Sequence, residues 1–142
     1  MSGIRRTRVG YVPGAWDMFH IGHLRIIERA RQHCDQLVVG VVVDDALFEA
    51  KGKRPIVPFA ERLEVVRSID LVDDVVADRS SNKLDAWQRV GFDVLFKGDD
   101  WRGTPKGDRL EAQMRTVGIE VHYFPYTAHT SSTALRSILA GR

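Results

Sequence analysis

"GAWDMFHIGHL", residues 14–24, sets the reading of the chain. Two histidines, His20 and His23, stand three apart around Gly22, with Asp17 just upstream. Ahead of them, "TRVGYV" (7–12) reads as a short buried strand. Behind them, "HLRIIERARQHC" (23–34) sets Leu24, Ile26, Ile27, Ala30 and Cys34 at helical spacing. The stretch is therefore a strand-to-helix handover. A helix N-terminus carries free N–H groups and a partial positive charge, which suits an anion. Gly22 lets backbone approach a ligand with no Cβ in the way. Histidines at i and i+3 present both rings to one spot. Two imidazoles over phosphate oxygens donate to the charge that builds in a phosphoryl transition state.

The rest of the chain alternates in the same manner. "QLVVGVVVD" (36–44) is a continuous β-branched run, the mark of a strand covered on both faces. "DDALFEAKGKRPIVPF" (44–59) reads as a polar loop with two prolines, and "FAERLEVVRSIDLV" (59–72) as a helix with Leu63, Val66 and Ile69 on one stripe. A short strand "DDVVA" and a helix "KLDAWQRVG" closed by Gly91 follow. Then come strand 92–98, helix "RLEAQMRTVG" closed by Gly118, strand 119–126 and helix 131–141 with serine at its N-cap. Five strands alternating with helices predict an α/β, Rossmann-like single domain over residues 1–142. Its parallel sheet is expected in the order 3-2-1-4-5 with helices on both faces. The loops 13–22, 44–58, 98–107 and 126–131 all follow strands, so they should gather on one rim.

Composition narrows the class. A chain of 142 residues with 44% hydrophobic and 28% charged residues is ordinary for a globular domain. A net charge of +2 gives no global field that points to nucleic acid or a membrane. The single cysteine, Cys34, cannot form an intrachain disulfide and leans toward a reducing cytoplasm. "MSGIRRTR" has no apolar core behind it of signal-peptide length, and no run approaches the roughly 18 apolar residues of a membrane span. A zinc site is disfavoured, because H-x-x-H stands here without a third ligand at suitable spacing. An isolated histidine pair is commonly inert; the coupled positions Asp17 and Gly22, with a buried strand before and a helix after, set this one apart.

These residues resemble a known family. "GAWDMFHIGHL" is similar to the G-x-[FW]-D-x-[FL]-H-x-G-H signature of the cytidylyltransferase-like nucleotidyltransferases. "FKGDDW" (96–101), "TSST" (130–133) and "RPIVPFAERLEVVRSI" (54–69) resemble segments of the glycerol-3-phosphate cytidylyltransferase branch, and the likeness runs from about residue 8 to 140. The resemblance implies that His20 and His23 hold the nucleotide phosphates and stabilise the transition state. It puts Gly14, Ala15, Trp16 and Gly22 at the nucleotide, and Asp17 near phosphate, acceptor and metal. It makes Lys51 or Lys53 the loop lysine that meets acceptor and phosphate, and Arg62 an acceptor-side arginine. Gly98 and Asp99 fall on the nucleotide side, and Ser131, Ser132 and Thr133 on the triphosphate. Without the resemblance, "KGKR" is a solvated cluster, Asp99 and Asp100 a turn, and Ser131–Thr133 an N-cap run.

The chain also departs from the pattern. Where the family's last motif reads R-T-E-G-I-S-T-T, this chain has "YTAHTSST", which puts Tyr126 at the arginine and His129 at the glycine. Asp70 stands at a second arginine position, with Arg67 on the same helix. The activity implied is transfer of a cytidylyl group from CTP to a small phosphomonoester, glycerol 3-phosphate above others, with Mg²⁺ carried mainly on the triphosphate. A cytoplasmic homodimer is implied by the same likeness. Another acceptor such as ethanolamine phosphate, a phosphonate or a sugar phosphate, ATP as donor, and a non-catalytic nucleotide-binding module are the alternatives.

Overall fold

A computed structural model describes residues 6–125 and 131–141. Tyr126 and His129 lie outside the described residues. The sheet has the expected five strands in the order β3-β2-β1-β4-β5, and every pairing is parallel. The strands are β1 (Val9–Gly14), β2 (Gln36–Val42), β3 (Asp74–Asp78), β4 (Val94–Gly98) and β5 (Glu120–Phe124). The helices are α1 (Ile21–Arg31), α2 (Asp44–Lys51), α3 (Phe59–Arg67), α4 (Leu84–Val90), α5 (Pro105–Arg115) and α6 (Ser132–Ala140). The arrangement is Rossmann-like, as expected from the alternation of strands and helices.

Two cores cover the two faces. On one, Val12, Val39 and Phe96 pack with Ile27 and Ala30 of α1 and Val66 of α3. On the other, Tyr11, Val38 and Leu95 pack with Ala86 of α4 and Leu110 and Met114 of α5. The chain winds outward from β1 through β2 to β3, then returns to lay β4 on the opposite side of β1. The crevice between the carboxyl ends of β1 and β4 is thus the switch point where such sheets bind ligands.

One expected loop is not a loop. Residues 44–51, read as polar connection, form α2. Asp44 and Asp45 sit in its first turn and Lys51 in its last, each complementing the helix dipole, and Gly52 closes it at φ 70°. The two prolines fall after this cap and do not interrupt the helix. Helix α5 likewise starts earlier than its apolar stripe: Thr104 caps it, accepting from the Gly107 N–H at 3.1 Å, and Pro105 takes the first turn. Among the described residues no helix is long and apolar enough to cross a membrane.

Candidate active site

The motif loop leaves β1 through two left-handed residues, Trp16 at φ 56° and Met18 at φ 50°. Non-glycine residues adopt this conformation only when the surroundings enforce it, and such strain concentrates at functional sites. The enforcement is visible. The Trp16 indole is buried and donates to the Gly40 carbonyl at 2.9 Å. Its ring lies over Gly14, where a Cβ would meet it at 3.0 Å. Trp16, expected at the nucleotide, is thus the pin beneath the loop, and its ring edges His23 at 5.4 Å.

The loop delivers the chain to α1, whose cap is built from the two histidines themselves. His20 is the N-cap residue; its Nδ1 accepts from the Gly22 N–H at 3.0 Å. His23 returns the bond, its Nδ1 accepting from the His20 N–H at 3.2 Å. This is a capping box with imidazoles in place of hydroxyl and carboxylate. An Nδ1 that accepts carries no proton, so each neutral ring holds its proton on Nε2. The rings stack at 3.9 Å, and burial lowers the pKa of both. For His23, burial first and then His20 lower it to about 3, against an opposing pull from Asp17. Two neutral Nε2–H donors therefore stand side by side at a helix N-terminus. His20 Nε2 is buried with no hydrogen-bond partner among the described residues. A buried donor left without a partner is costly, and a ligand oxygen at this point would satisfy it.

Several residues expected to touch ligand make bonds within the protein. The buried Asp17 carboxylate accepts from the Ile56 and Val57 N–H groups, both at 2.9 Å, and from Arg136 at 2.6 Å. The Ser132 hydroxyl donates to the Asp17 carbonyl at 2.6 Å, while Ser131 caps α6 by accepting from the Ala134 N–H at 3.0 Å. Asp17 thereby fastens the 52–58 segment and the N-terminal turn of α6, which includes Thr133, to the motif loop. Arg62, expected at the acceptor, is 1% exposed. Its guanidinium donates to the carbonyls of Val57, Ala15 and Val42 and to the Asp44 carboxylate, joining four segments below the rim. Arg62→Leu should therefore unfold the chain at clearly lower urea, by about 3 kcal/mol or more, because it strands three carbonyls and a carboxylate at once. A urea midpoint within error of the parent would contradict this placement.

Beside the motif loop, at the carboxyl ends of β1, β2 and β4, opens a cavity of about 410 Å³. Gly14 and Ala15 form one lip, and Ala46, Leu47 and Ala50 of α2 another. Lys51 lines it and Lys53 does not, which separates the two loop lysines. The pKa of Lys51 is lowered by burial and then by Lys106 and Arg136, against pulls from Asp17 and Asp100. Lys83, Lys97, Lys106 and Arg109 complete a wall that contains no carboxylate. Lys97 Nζ lies 3.9 Å above the Trp101 ring, Lys106 Nζ lies 5.6 Å from it, and Lys97 Nζ makes no hydrogen bond among the described residues. Burial, then Lys83, takes the Lys97 pKa down to about 7. Gly98 and the exposed Asp99 and Asp100 follow at the tip of β4, in a single 3-10 turn. The sequence reading passed over Lys83, Lys97 and Arg136. A lysine inside the apolar run "VLFKG" was the available signal, since buried lysines need a reason. No cluster of three or more His, Cys, Asp or Glu able to hold a metal occurs among the described residues. Asp17, the carboxylate expected near a metal, is engaged by the Ile56 and Val57 N–H groups and by Arg136.

Comparison with known proteins agrees with this geometry. The cytidylyltransferase-like family model matches residues 11–138. The chain is 37% identical over 131 residues to the bifunctional protein HldE of Hyphomonas neptunium, covering 90% of this chain and 26% of that protein, so it spans about a quarter of that relative. It is 35% identical to the FAD synthase of Pyrococcus abyssi, covering 89% of this chain and 85% of that one. It is 32% identical to the glycerol-3-phosphate cytidylyltransferase of Bacillus spizizenii, covering 89% and 93%. Among solved structures, the lipopolysaccharide core biosynthesis protein of Thermoplasma volcanium superposes with a TM-score of 0.73 at 22% identity, covering 88% of this chain and all of that one, a likeness of fold. The paired Nε2 donors of "HIGH", the helix N-terminus behind them and the matched length of chain make this protein a member of the cytidylyltransferase-like family of nucleotidyltransferases.

Proposed function

We propose that this chain transfers a cytidylyl group from CTP to a small phosphomonoester, glycerol 3-phosphate foremost, and releases pyrophosphate. The observation that carries the reading is His20 Nε2, buried beside His23 with no partner among the described residues, on the motif loop whose Gly14 and Ala15 line a cavity walled by cations. An oxygen of the acceptor phosphate attacks the α-phosphorus of the nucleotide. That P–O bond forms as the bond to the β-phosphate oxygen breaks, and the electron pair leaves with pyrophosphate. A phosphate is a competent nucleophile at neutral pH, so the protein's share is positioning and charge stabilisation. His20 and His23 donate from Nε2 to the charge that develops at the α-phosphate. Lys51 neutralises from the cavity side, and the N-terminal turns of α1 and α6 supply N–H groups. The acceptor lies in the cavity, its phosphate facing Lys83 and Lys97. Mg²⁺, where bound with the nucleotide, would offset phosphate charge. A cytoplasmic homodimer without a nucleic-acid partner completes the reading, on family likeness alone.

The base is the open variable, because the phosphate-side residues treat CTP and ATP alike. Sites that pair the polar edge of a substrate discriminate by several kcal/mol. Competition between CTP and ATP with Mg²⁺, scored by pyrophosphate release across a panel of phosphomonoesters, is expected to give the higher kcat/KM to CTP with glycerol 3-phosphate. A kcat/KM for ATP equal to or above that for CTP reassigns the donor and leaves the transfer chemistry in place. No pyrophosphate from any pair would favour a binding module that does not turn over.

A further inference from the structure

Under the cavity floor runs a buried chain of polar groups that the transfer chemistry does not itself require. The Tyr11 hydroxyl donates to Asp78 Oδ2 at 2.6 Å. Lys83 Nζ donates to Asp78 Oδ1 and to the Ser80 carbonyl, both at 2.9 Å. Tyr11 and Asp78 are almost wholly removed from solvent, at 0% and 1% exposure. The three groups come from three places: the centre of β1, the last residue of β3 and the N-cap of α4. Burial, and then the charge of Asp78, pushes the Tyr11 hydroxyl up in pKa, so it remains a donor at every working pH.

The fold makes room for this hydroxyl. A Cβ at Gly40 would stand 1.9 Å from the Tyr11 oxygen, so β2 carries a bare backbone there. A phenylalanine at position 11 would keep the ring stack with Phe92, at 4.7 Å, without needing a buried carboxylate beside it. Buried ion pairs bring little net stability over well-packed apolar groups. The arrangement does something else: it fixes a cation. Two of the three ammonium protons of Lys83 are committed to Asp78 and Ser80, which leaves one for the cavity that Lys83 lines. Among the described residues, Lys97 Nζ in the same wall makes no hydrogen bond and lies against the face of Trp101. Within the wall, hydrogen bonds thus set the direction of Lys83, and none among the described residues sets that of Lys97.

We propose that Tyr11 and Asp78 are positioning residues for the anionic group of the acceptor, acting through Lys83, whose remaining N–H is the fixed anchor of a phosphate subsite in this cavity. The proposal rests on the transfer reading for the identity of the acceptor, but not for the subsite. Asp78 also sets how far the charge of Lys83 stands from that of Lys97. Losing it would let two lysines repel across the subsite instead of converging on one anion.

The test uses Tyr11→Phe, Asp78→Asn and Lys83→Met in the full chain, each checked for native circular dichroism. Inorganic phosphate is titrated calorimetrically, and acceptor and nucleotide kinetics are measured in parallel. Tyr11→Phe is expected to weaken phosphate binding and raise the acceptor KM by about tenfold, with Asp78→Asn and Lys83→Met larger, while the nucleotide KM stays near the parent value. Lys83→Arg should recover part of the loss. Unchanged phosphate affinity in a folded Lys83→Met, or equal losses for acceptor and nucleotide, would overturn the proposal. If the parent turns over no nucleotide yet binds phosphate through Lys83, the transfer reading fails and the subsite stands.

Discussion

His20→Asn is expected to fold and melt like the parent and to lose about 10²–10³ in kcat. The reason is that His20 has two jobs on two different atoms. Nδ1 caps α1 by accepting from Gly22, and Nε2 offers a proton to the ligand. Asparagine is among the best N-cap residues, and its side-chain oxygen can take over the role of Nδ1. It has nothing that reaches the place of Nε2. His20→Ala removes both, so it should lose a similar amount of rate and also about 1 kcal/mol of stability, or a few degrees in Tm. Melting curves and single-substrate kinetics on the two variants separate the jobs. Near-normal turnover in His20→Asn would remove His20 from the reaction. The pH profile carries the same logic. Both pKa values are lowered, that of His23 to about 3, so the rings are neutral through the neutral range and protonate only in acid. Protonation would place a hydrogen on Nδ1 and break the cap bonds along with the site.

Lys97→Met should make the chain more stable and the enzyme worse. In the folded chain the lysine has a pKa near 7 against its ordinary 10.5. Between those values the unfolded chain binds a proton that the native chain does not, so stability rises with pH across that window. Below pH 7 the full penalty of the buried charge is present. Methionine has a similar length and no charge, so Tm at pH 7 should rise and its climb toward pH 10 should flatten. Acceptor kcat/KM should fall by about 10–100-fold, the value of a charge-assisted bond to phosphate. Such opposed changes are typical where a site is held at a cost to the fold. Thermal melts from pH 6 to 10, beside kinetics at pH 7, give both readings. A Tm that drops at pH 7 would show Lys97 to be a structural lysine.

The sheet order and the strand-to-helix handover at "HIGH" could be read from the residues because they rest on periodicity and on a spacing that only one local geometry satisfies. Helix α2 could not be read that way. Only Leu47 of its eight residues is buried, so its apolar period is nearly silent, and the visible prolines belong to the segment after Gly52. The intramolecular bonds of Asp17 and Arg62, whose ligand roles came from the resemblance, could not be read, because a charged residue in a motif says nothing of whether backbone groups some 40 positions away are its partners. The bonds from Val57 to Asp17 and from Arg62 to Ala15 exist only once the rim is folded. Lys97 was the reverse case. Its conflict with a buried strand was local and visible, and that kind of inconsistency marks functional positions.

Helix α6 has no buried residue. Its ties to the motif loop are polar, from Ser132 and Arg136 to Asp17 across 115 and 119 positions of chain. Those two bonds close a loop that encloses nearly the whole sheet, and closures of that separation are entropically expensive and slow to form. The sheet can therefore be complete, with Tyr11 already sealed inside, before α6 is tied to the motif loop. The same order holds in reverse. Local opening that detaches α6 costs far less than unfolding the strands, and it takes the Ser131–Thr133 hydroxyls and the Arg136 partner of Asp17 away together. The seating of α6 on the motif loop is then a separate equilibrium on top of a stable platform, and it can shift while the strands stay paired.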